Sequence, residues 1–520
     1  MTRTPAIIAL GLCFLIALTL VLVGGAFEGE FGKHGDESAH VLSGMLVLDF
    51  VKTGNFSSPI EFARAYYEHY PGFAIGVWPP LFYVLEAGWG SLFGFSKASL
   101  LVLQCLSAGL NGAIIVVYLR GLVSPLRSIG FACVFSLLPV VSYELSWIAV
   151  DIWICLCTLV SIHLFARYVE SPSLRRSILF GVAAGLSLLV KGSAGFLAFL
   201  PAYTIVATKR WNLLRRLDLW VSAVVVIATA GPWYFLTTGI ASDTFAKHLG
   251  IAFWREAIPS YVSGTWTNVG ILIAGPLLVV ARAGDQSIRS KVAAAATFSA
   301  FTFLLLVPAD VDPRYLMPAF ASSILSFALA LPRGDDAVAR RVAMAGYIGA
   351  LVWAFTRIPR DIAELAPIAR GYRAVSSAIV ALDARSRTRV LISSDEGTEG
   401  GLLVHVAQLD SSRPSLELVR ATKVLASMTW QGKNYRLRSQ SPILKQLDSL
   451  GITSIAIANQ EQTTVQHQKL LWEATSDTRH WRCVTARSAK YLLFVRANEA
   501  ELDHAVRVAR SFTLKQNTRF

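Results

Sequence analysis

Apolar runs long enough to cross a hydrocarbon core recur from the start of this chain to about residue 358, and that repetition restricts the fold more than any motif does. A membrane helix needs about 20 apolar residues in succession, because each residue advances the helix by only about 1.5 Å. Runs of this kind lie near 5–26, 99–119, 128–146, 148–168, 174–191, 193–209, 217–237, 265–283, 291–308, 313–331 and 341–358. With 54% of its 520 residues hydrophobic and 16% charged, the chain falls outside the range of soluble domains. The expected class is mainly α, a polytopic membrane helix bundle of about 11 spans. "VLVGGA" ends in small residues as a signal peptide would, yet only Arg3 precedes the first run, and the many later runs favour a first transmembrane helix.

The formal net charge of +14 does not point to nucleic acid, because the basic residues are dispersed in short clusters between apolar runs. They read as topology. If "WPPLFYVLEAGWGSLFGF" (78–95) does not cross, every basic loop from Arg120 to Arg341 lies on one side together with Arg3, and the positive-inside rule makes that side cytoplasmic. Residues 79–95 are therefore expected to lie along the outer surface. The first external segment then runs from 27 to 98 and holds interfacial helices. Five of the six cysteines fall inside apolar runs, so neither a disulfide framework nor a metal motif is legible.

After "TRIPRD" (356–361) the apolar runs shorten and charges become frequent. The expected division is a transmembrane domain over 1–360 and an external soluble α/β domain over 361–520. "RVLISSD", "ITSIAIAN" and "KYLLFVRA" read as strands, and "GGLLVHVAQL" and "PILKQLDSL" as helices. Interaction or acceptor presentation is the expected role. The basic, aromatic stretch 418–439 suits either an acidic glycan or a solvated face.

On this topology nearly all the unusual polar residues fall at the outer face. They are Asp36 and Glu37 after the first span, Asp151 at the start of the fourth, Lys191 at the end of the fifth, His248 and Arg255 in one loop, and Asp310, Asp312 and Arg314 in another. Each has a plainer reading: Asp151 as a charge favoured by the helix dipole, Lys191 as a snorkelling side chain, Arg314 as an interface anchor, His248 as a solvated loop residue. Their coincidence on one face points instead to a site for a lipid phosphate. Arg and Lys neutralise phosphate oxygens, while a carboxylate takes the proton of an attacking hydroxyl or amine. No glycine-rich phosphate loop suggests a nucleotide-sugar donor.

"GDESAH" after the first span, "WPPLFYVL", "SWIAVD", "LLVKGSAGF", "GPWYF" and "PRYLMPA" resemble, in that order, the GT-C membrane glycosyltransferases, in the branch of protein O-mannosyltransferases and aminoarabinose transferases that modify lipid A. The resemblance covers about residues 1–335. It implies a polyprenyl-phosphate-linked sugar donor, a lipid, glycan or protein acceptor, and a bacterial inner membrane location with the site on the periplasmic or extracellular side. It further implies Asp36 as catalytic base with Glu37 beside it, Lys191 and Arg255 as donor-phosphate groups, and Asp151 at the acceptor cavity; the charges gathered at the outer face add Arg314 to the phosphate groups and His248 to the cavity. Trp78 departs from the pattern, because family members often carry His, Lys or a carboxylate before the double proline. Metal dependence stays unknown: Asp36, Glu37, Asp151 and His248 are ligand types, but not at metal-motif spacing. The competing reading is a multi-spanning transporter or flippase of an envelope precursor, against which stand the lack of an internal repeat and of charges at mid-span.

Overall fold

The computed structural model describes residues 3–245, 249–331 apart from 283, 285 and 308–310, scattered positions between 341 and 367, and 371–496 apart from short gaps at 384–387, 395–398, 428–435, 440, 460–464 and 487–488. The run at 341–358 lies largely outside the described residues. Two compact units are present: residues 1–27, 75–82 and 100–366 form one, and residues 28–74, 83–99 and 367–520 the other.

The first unit is helical, as its composition requires. Its helices are α1 (Thr4–Val23), α5 (Lys97–Leu119, from Leu100 onward), α6 (Pro125–Ser136), α7 (Pro139–Glu144), α8 (Asp151–Glu170), α9 (Leu174–Val190), α10 (Leu200–Thr208), α11 (Leu217–Phe245), α12 (Ile251–Val269), α13 (Ala274–Ala281), α14 (Ile288–Leu306) and α15 (Met317–Ala330). Where the sequence lays eleven crossings, five single helices among the described residues are long and apolar enough, or up to six if a bent pair counts as one. Several of the other runs are built from shorter pieces. The run at 128–146 breaks between α6 and α7, because Pro139 forces Leu138 into an extended conformation (ψ 136°). The run at 193–209 opens as a 3₁₀ turn over Gly192–Ala198. The run at 265–283 begins earlier, as α12, and turns by 92° into α13 after Gly270, whose φ of 50° few other residues would adopt.

Small residues set the closest helix approaches. α9 packs on α8 and α11. A Cβ added at Gly181 would lie 2.7 Å from the Ser222 carbonyl oxygen, and one at Gly185 2.7 Å from the Thr229 Cβ. Such seams let helix backbones approach in a solvent that supplies no hydrophobic drive between them.

The second unit begins with α2 (Gly35–Thr53), α3 (Pro59–His69) and α4 (Leu81–Phe93, from Tyr83 onward). α4 has 13 residues, about 20 Å, too short to cross a bilayer alone. α2 is well framed: His34 caps its start, Lys52 lies in its last turn and Gly54 ends it at φ 66°.

The C-terminal part of this unit is the expected α/β domain. Strands β1 (Arg389–Ser393), β2 (Glu417–Arg420), β5 (Ser454–Ala458), β6 (Trp481–Cys483) and β7 (Tyr491–Arg496) form a sheet in the order β2-β1-β5-β7-β6, and β3 (Ala426–Ser427) pairs with β4 (Arg436–Leu437). The three strands β2, β1 and β5 are parallel, and β7 and β6 complete the sheet antiparallel, with Leu391 opposite Ile455 and Ile455 opposite Phe494. β5 is buried at every residue, as a strand covered on both faces must be. Ile455, Ile457, Leu471, Trp481 and Phe494 share one core.

Candidate active site

In the first unit a charged cluster forms where three chain turns meet. Asp151 opens α8 and Lys191 follows α9 in an extended conformation (φ −159°, ψ 141°). The Lys191 ammonium donates to both Asp151 oxygens, at 2.7 and 2.9 Å. Arg314 comes from the 3₁₀ turn Pro313–Leu316, which Asp312 caps by accepting the Arg314 amide at 2.9 Å. Its Nε stands 3.3 Å from Asp312 and 3.9 Å from Asp151. Tyr315 lies beneath the Lys191 ammonium, 4.5 Å from ring centroid to nitrogen, and Trp147 and Tyr315 flank the guanidinium at 5.5 and 5.3 Å.

Asp151, Lys191 and Arg314 are 1%, 8% and 5% exposed. Lys191 is therefore turned into the protein against Asp151 and does not snorkel toward headgroups. Charges this deep are costly unless paired, and here two cations share the Asp151 and Asp312 carboxylates. The Arg314 guanidinium stands farther from Asp151 than the Lys191 ammonium does.

In the second unit the sequence pair Asp36–Glu37 divides its work. Glu37 is fully buried and accepts the amides of Gly32 and Lys33 at 2.7 and 2.9 Å, with the Lys97 ammonium 3.3 Å from its other oxygen. Lys97 also donates to the Glu30 carbonyl at 2.6 Å. Glu37 thus ties the preceding loop to the helix start. Asp36 sits in the first turn of α2, its amide donating to His34 Nδ1 at 3.2 Å, and a helix N-terminus favours an anion there. One turn further, His40 Nδ1 meets the Tyr83 hydroxyl at 3.1 Å, both side chains buried. Glu86, one turn beyond Tyr83 on α4, is fully buried with no hydrogen-bond partner for either oxygen among the described residues, and burial holds its carboxyl well above the usual range.

Arg255 is exposed on α12. The same helix meets Pro313 through Gly264, nine positions later and about 13 Å along the axis. His248 and Asp310 lie outside the described residues. No three His, Cys, Asp or Glu side chains gather as a metal site among the described residues.

Sequence reasoning passed over three residues. Lys97 opens an apolar helix and looks like any interfacial lysine. His40 follows Asp36 by four positions, a spacing that sets it on the same helix face. Glu144, a carboxylate within the apolar "SYELSW" stretch, is fully buried with both oxygens lacking a hydrogen-bond partner among the described residues, within electrostatic reach of Asp151, Arg314, Asp312 and Lys191. A glutamate inside an apolar run was the available signal for it.

Residues 78–235, which include Asp151 and Lys191, match the family model for dolichyl-phosphate-mannose-protein mannosyltransferase. No curated protein matches the chain. Among solved structures, ArnT from Cupriavidus metallidurans in the apo state is similar at 14% identity and a TM-score of 0.59, covering 96% of this chain and 98% of that one. The same protein bound to undecaprenyl phosphate gives 15% and 0.57, covering 94% and 98%. The Archaeoglobus fulgidus oligosaccharyltransferase, in complex with Zn and sulfate, gives 12% and 0.57 over 87% of this chain and 68% of that one. This membrane protein therefore has the fold of the GT-C glycosyltransferases, as the order of its sequence motifs implied.

Proposed function

We propose that the protein transfers a sugar from a polyprenyl-phosphate-linked donor to a hydroxyl or amine of a lipid, glycan or protein acceptor at the outer face of the bacterial inner membrane. The observation that carries this reading is the buried convergence of Lys191 and Arg314 on the single carboxylate of Asp151, inside a helical unit. Two cations beside a yielding partner suit a phosphate that is a leaving group. The binding of undecaprenyl phosphate by an ArnT of this fold supports a lipid phosphate as that anion.

In the proposed reaction the acceptor oxygen or nitrogen attacks the anomeric carbon and the bond from that carbon to the phosphate oxygen breaks, with inversion. Asp36 takes the acceptor proton. Lys191 and Arg314 neutralise the departing polyprenyl phosphate, with Arg255 as a further candidate for its charge. Asp151 holds the two buried cations in place, His248 belongs to the acceptor side, and Glu37 braces the turn that presents Asp36. The support for the outer face is the parity of the basic loops.

The test is sugar transfer by purified protein in lipid nanodiscs from a panel of radiolabelled polyprenyl-phosphate sugars, wild type beside Asp36→Asn. Label entering an acceptor with wild type and not with the variant supports both reaction and base. Absence of transfer and of donor hydrolysis, across acceptors drawn from a native membrane extract, would overturn the enzyme reading.

A further inference from the structure

The C-terminal α/β domain has no group in the chemistry just described, yet it grips the peptide that carries Asp36 almost residue by residue. Arg373 Nη2 donates to the carbonyls of Glu28 and Gly29, at 3.4 and 3.0 Å. The Glu30 carboxylate accepts the amides of Gly371 and Arg373, at 2.8 and 3.0 Å, just where the helix Tyr372–Asp383 begins. The Phe31 amide donates to His405 Nε2 at 3.3 Å, and the two rings lie 5.3 Å apart.

The helix Glu399–Leu409 then runs against α2 with no side chain to spare. A Cβ added at Gly401 would lie 2.7 Å from the Phe31 carbonyl oxygen, and one at Gly400 2.8 Å from the Ser38 Cβ. Ser38 is two positions from Asp36. At the other end of α2, Arg413 forks onto both Asp49 oxygens, at 2.5 and 3.0 Å, and the Tyr66 hydroxyl joins the same carboxylate at 3.1 Å.

We infer that the C-terminal domain is the positioning element for Asp36: through Arg373, His405 and Gly400 it fixes the segment Glu28–Ser38, and through Arg413 the far end of α2. This rests on the reading of Asp36 as the base. A catalytic carboxylate on a loop-to-helix junction must be held closely, because misplacement by about 1 Å costs on the order of a hundredfold in rate. To the local brace of Glu37 the domain adds hydrogen bonds to the backbone of that junction. His405, Gly400 and Arg373 are positioning residues and touch no reacting atom.

The experiment compares His405→Leu with His405→Gln in the full-length protein in nanodiscs, reading amide hydrogen exchange over residues 28–40 and the kinetics of transfer. His405→Leu removes the acceptor for the Phe31 amide; His405→Gln replaces it with an amide oxygen. The expected result is faster exchange and a kcat lowered by about tenfold or more in His405→Leu, with the donor KM retained, and both restored in His405→Gln. Wild-type exchange and kcat in His405→Leu would overturn the inference. Should that variant not fold, Gly400→Ala, whose methyl group meets Ser38, gives the same two readings. If wild type itself shows no transfer, the functional reading fails by that control, and exchange alone decides whether the domain fixes the segment.

Discussion

Lys97 places its ammonium 3.3 Å from the Glu37 carboxylate, and neither side chain reaches solvent by more than 4% of its surface. The pair joins the start of α5 to the start of α2 inside one unit and fastens the loop that precedes Asp36. Removing one partner leaves an uncompensated buried charge, so Lys97→Met should cost about 3–5 kcal/mol. Lys97→Met with Glu37→Gln should cost less than the two single changes together. Thermal melts of the four proteins in detergent complete the cycle.

Asp36→Asn should lower transfer by about 10²–10⁴-fold, the range for losing a general base. Expression and melting temperature should stay near wild type, because Asn has the shape of the aspartate and keeps an oxygen that accepts hydrogen bonds, the one facing His34 at 3.5 Å included. Initial rates at saturating donor check this, and an unchanged rate would remove Asp36 from the mechanism.

Arg314→Lys keeps the charge and loses the planar fork that spans Asp312, Asp151 and the two aromatic rings. The donor kcat/KM should fall by about tenfold, equivalent to about 1.4 kcal/mol, with kcat falling as well, because the charge that Arg314 meets grows as the phosphate leaves. The same exchange at Lys191, Lys191→Arg, should be worse tolerated, since the ammonium sits within 2.9 Å of both Asp151 oxygens in a site with little room for a guanidinium. Donor titrations of the two variants distinguish the positions.

Burial lowers the imidazoles of both His405 and His467 to about 4; Glu30, Arg373 and Lys97 also act on His405, the first opposing the shift and the other two adding to it. The unfolded chain binds these protons near pH 6.5 and the folded domain does not until about pH 4, so stability is lost as pH falls from 6.5 to 4. Each histidine contributes up to about 3 kcal/mol to that slope. Asp410 acts in a lower window. Burial raises its carboxyl, but the Tyr70 hydroxyl, the Ser415 amide and hydroxyl and the Ser412 amide outweigh this and hold it below its usual value, so its contribution fades only below about pH 4. Denaturant titrations followed by Trp481 fluorescence at pH 7, 5.5 and 4.5 should show a steep acid loss for wild type and a shallower one for His467→Gln.

Glu86 has the opposite sign. Its folded carboxyl is held up by burial, so at neutral pH folding must keep a proton on a group that the unfolded chain would release. Glu86→Gln, of equal shape and without that penalty, should raise the melting temperature at pH 7.5 and have no such effect at pH 4.5. Melts at the two pH values decide it; a loss of stability at pH 7.5 would mean the carboxylate is ionised in place.

The sequence by itself determined the membrane class, the α/β character of the C-terminal region and the stretches where charge gathers. Those are consequences of composition and period, which each segment carries alone: Ile455 and Leu493 alternate or run apolar whatever surrounds them. It also placed Asp151, Lys191 and Arg314 on one list, because charges at the ends of apolar runs are visible without coordinates. What it left open was which of those charges answer one another. Lys191 could have reached for headgroups as easily as for Asp151, and only packing of α8 against α9 chose between them. Nor could residues 128–146 be read as two helices from hydropathy, since Pro139 decides the break while the apolar run continues through it. The division of labour between Asp36 and Glu37 came from tertiary structure alone: adjacent carboxylates on a helix point roughly 100° apart. The one that met Lys97 and two loop amides became a brace for the loop before the helix.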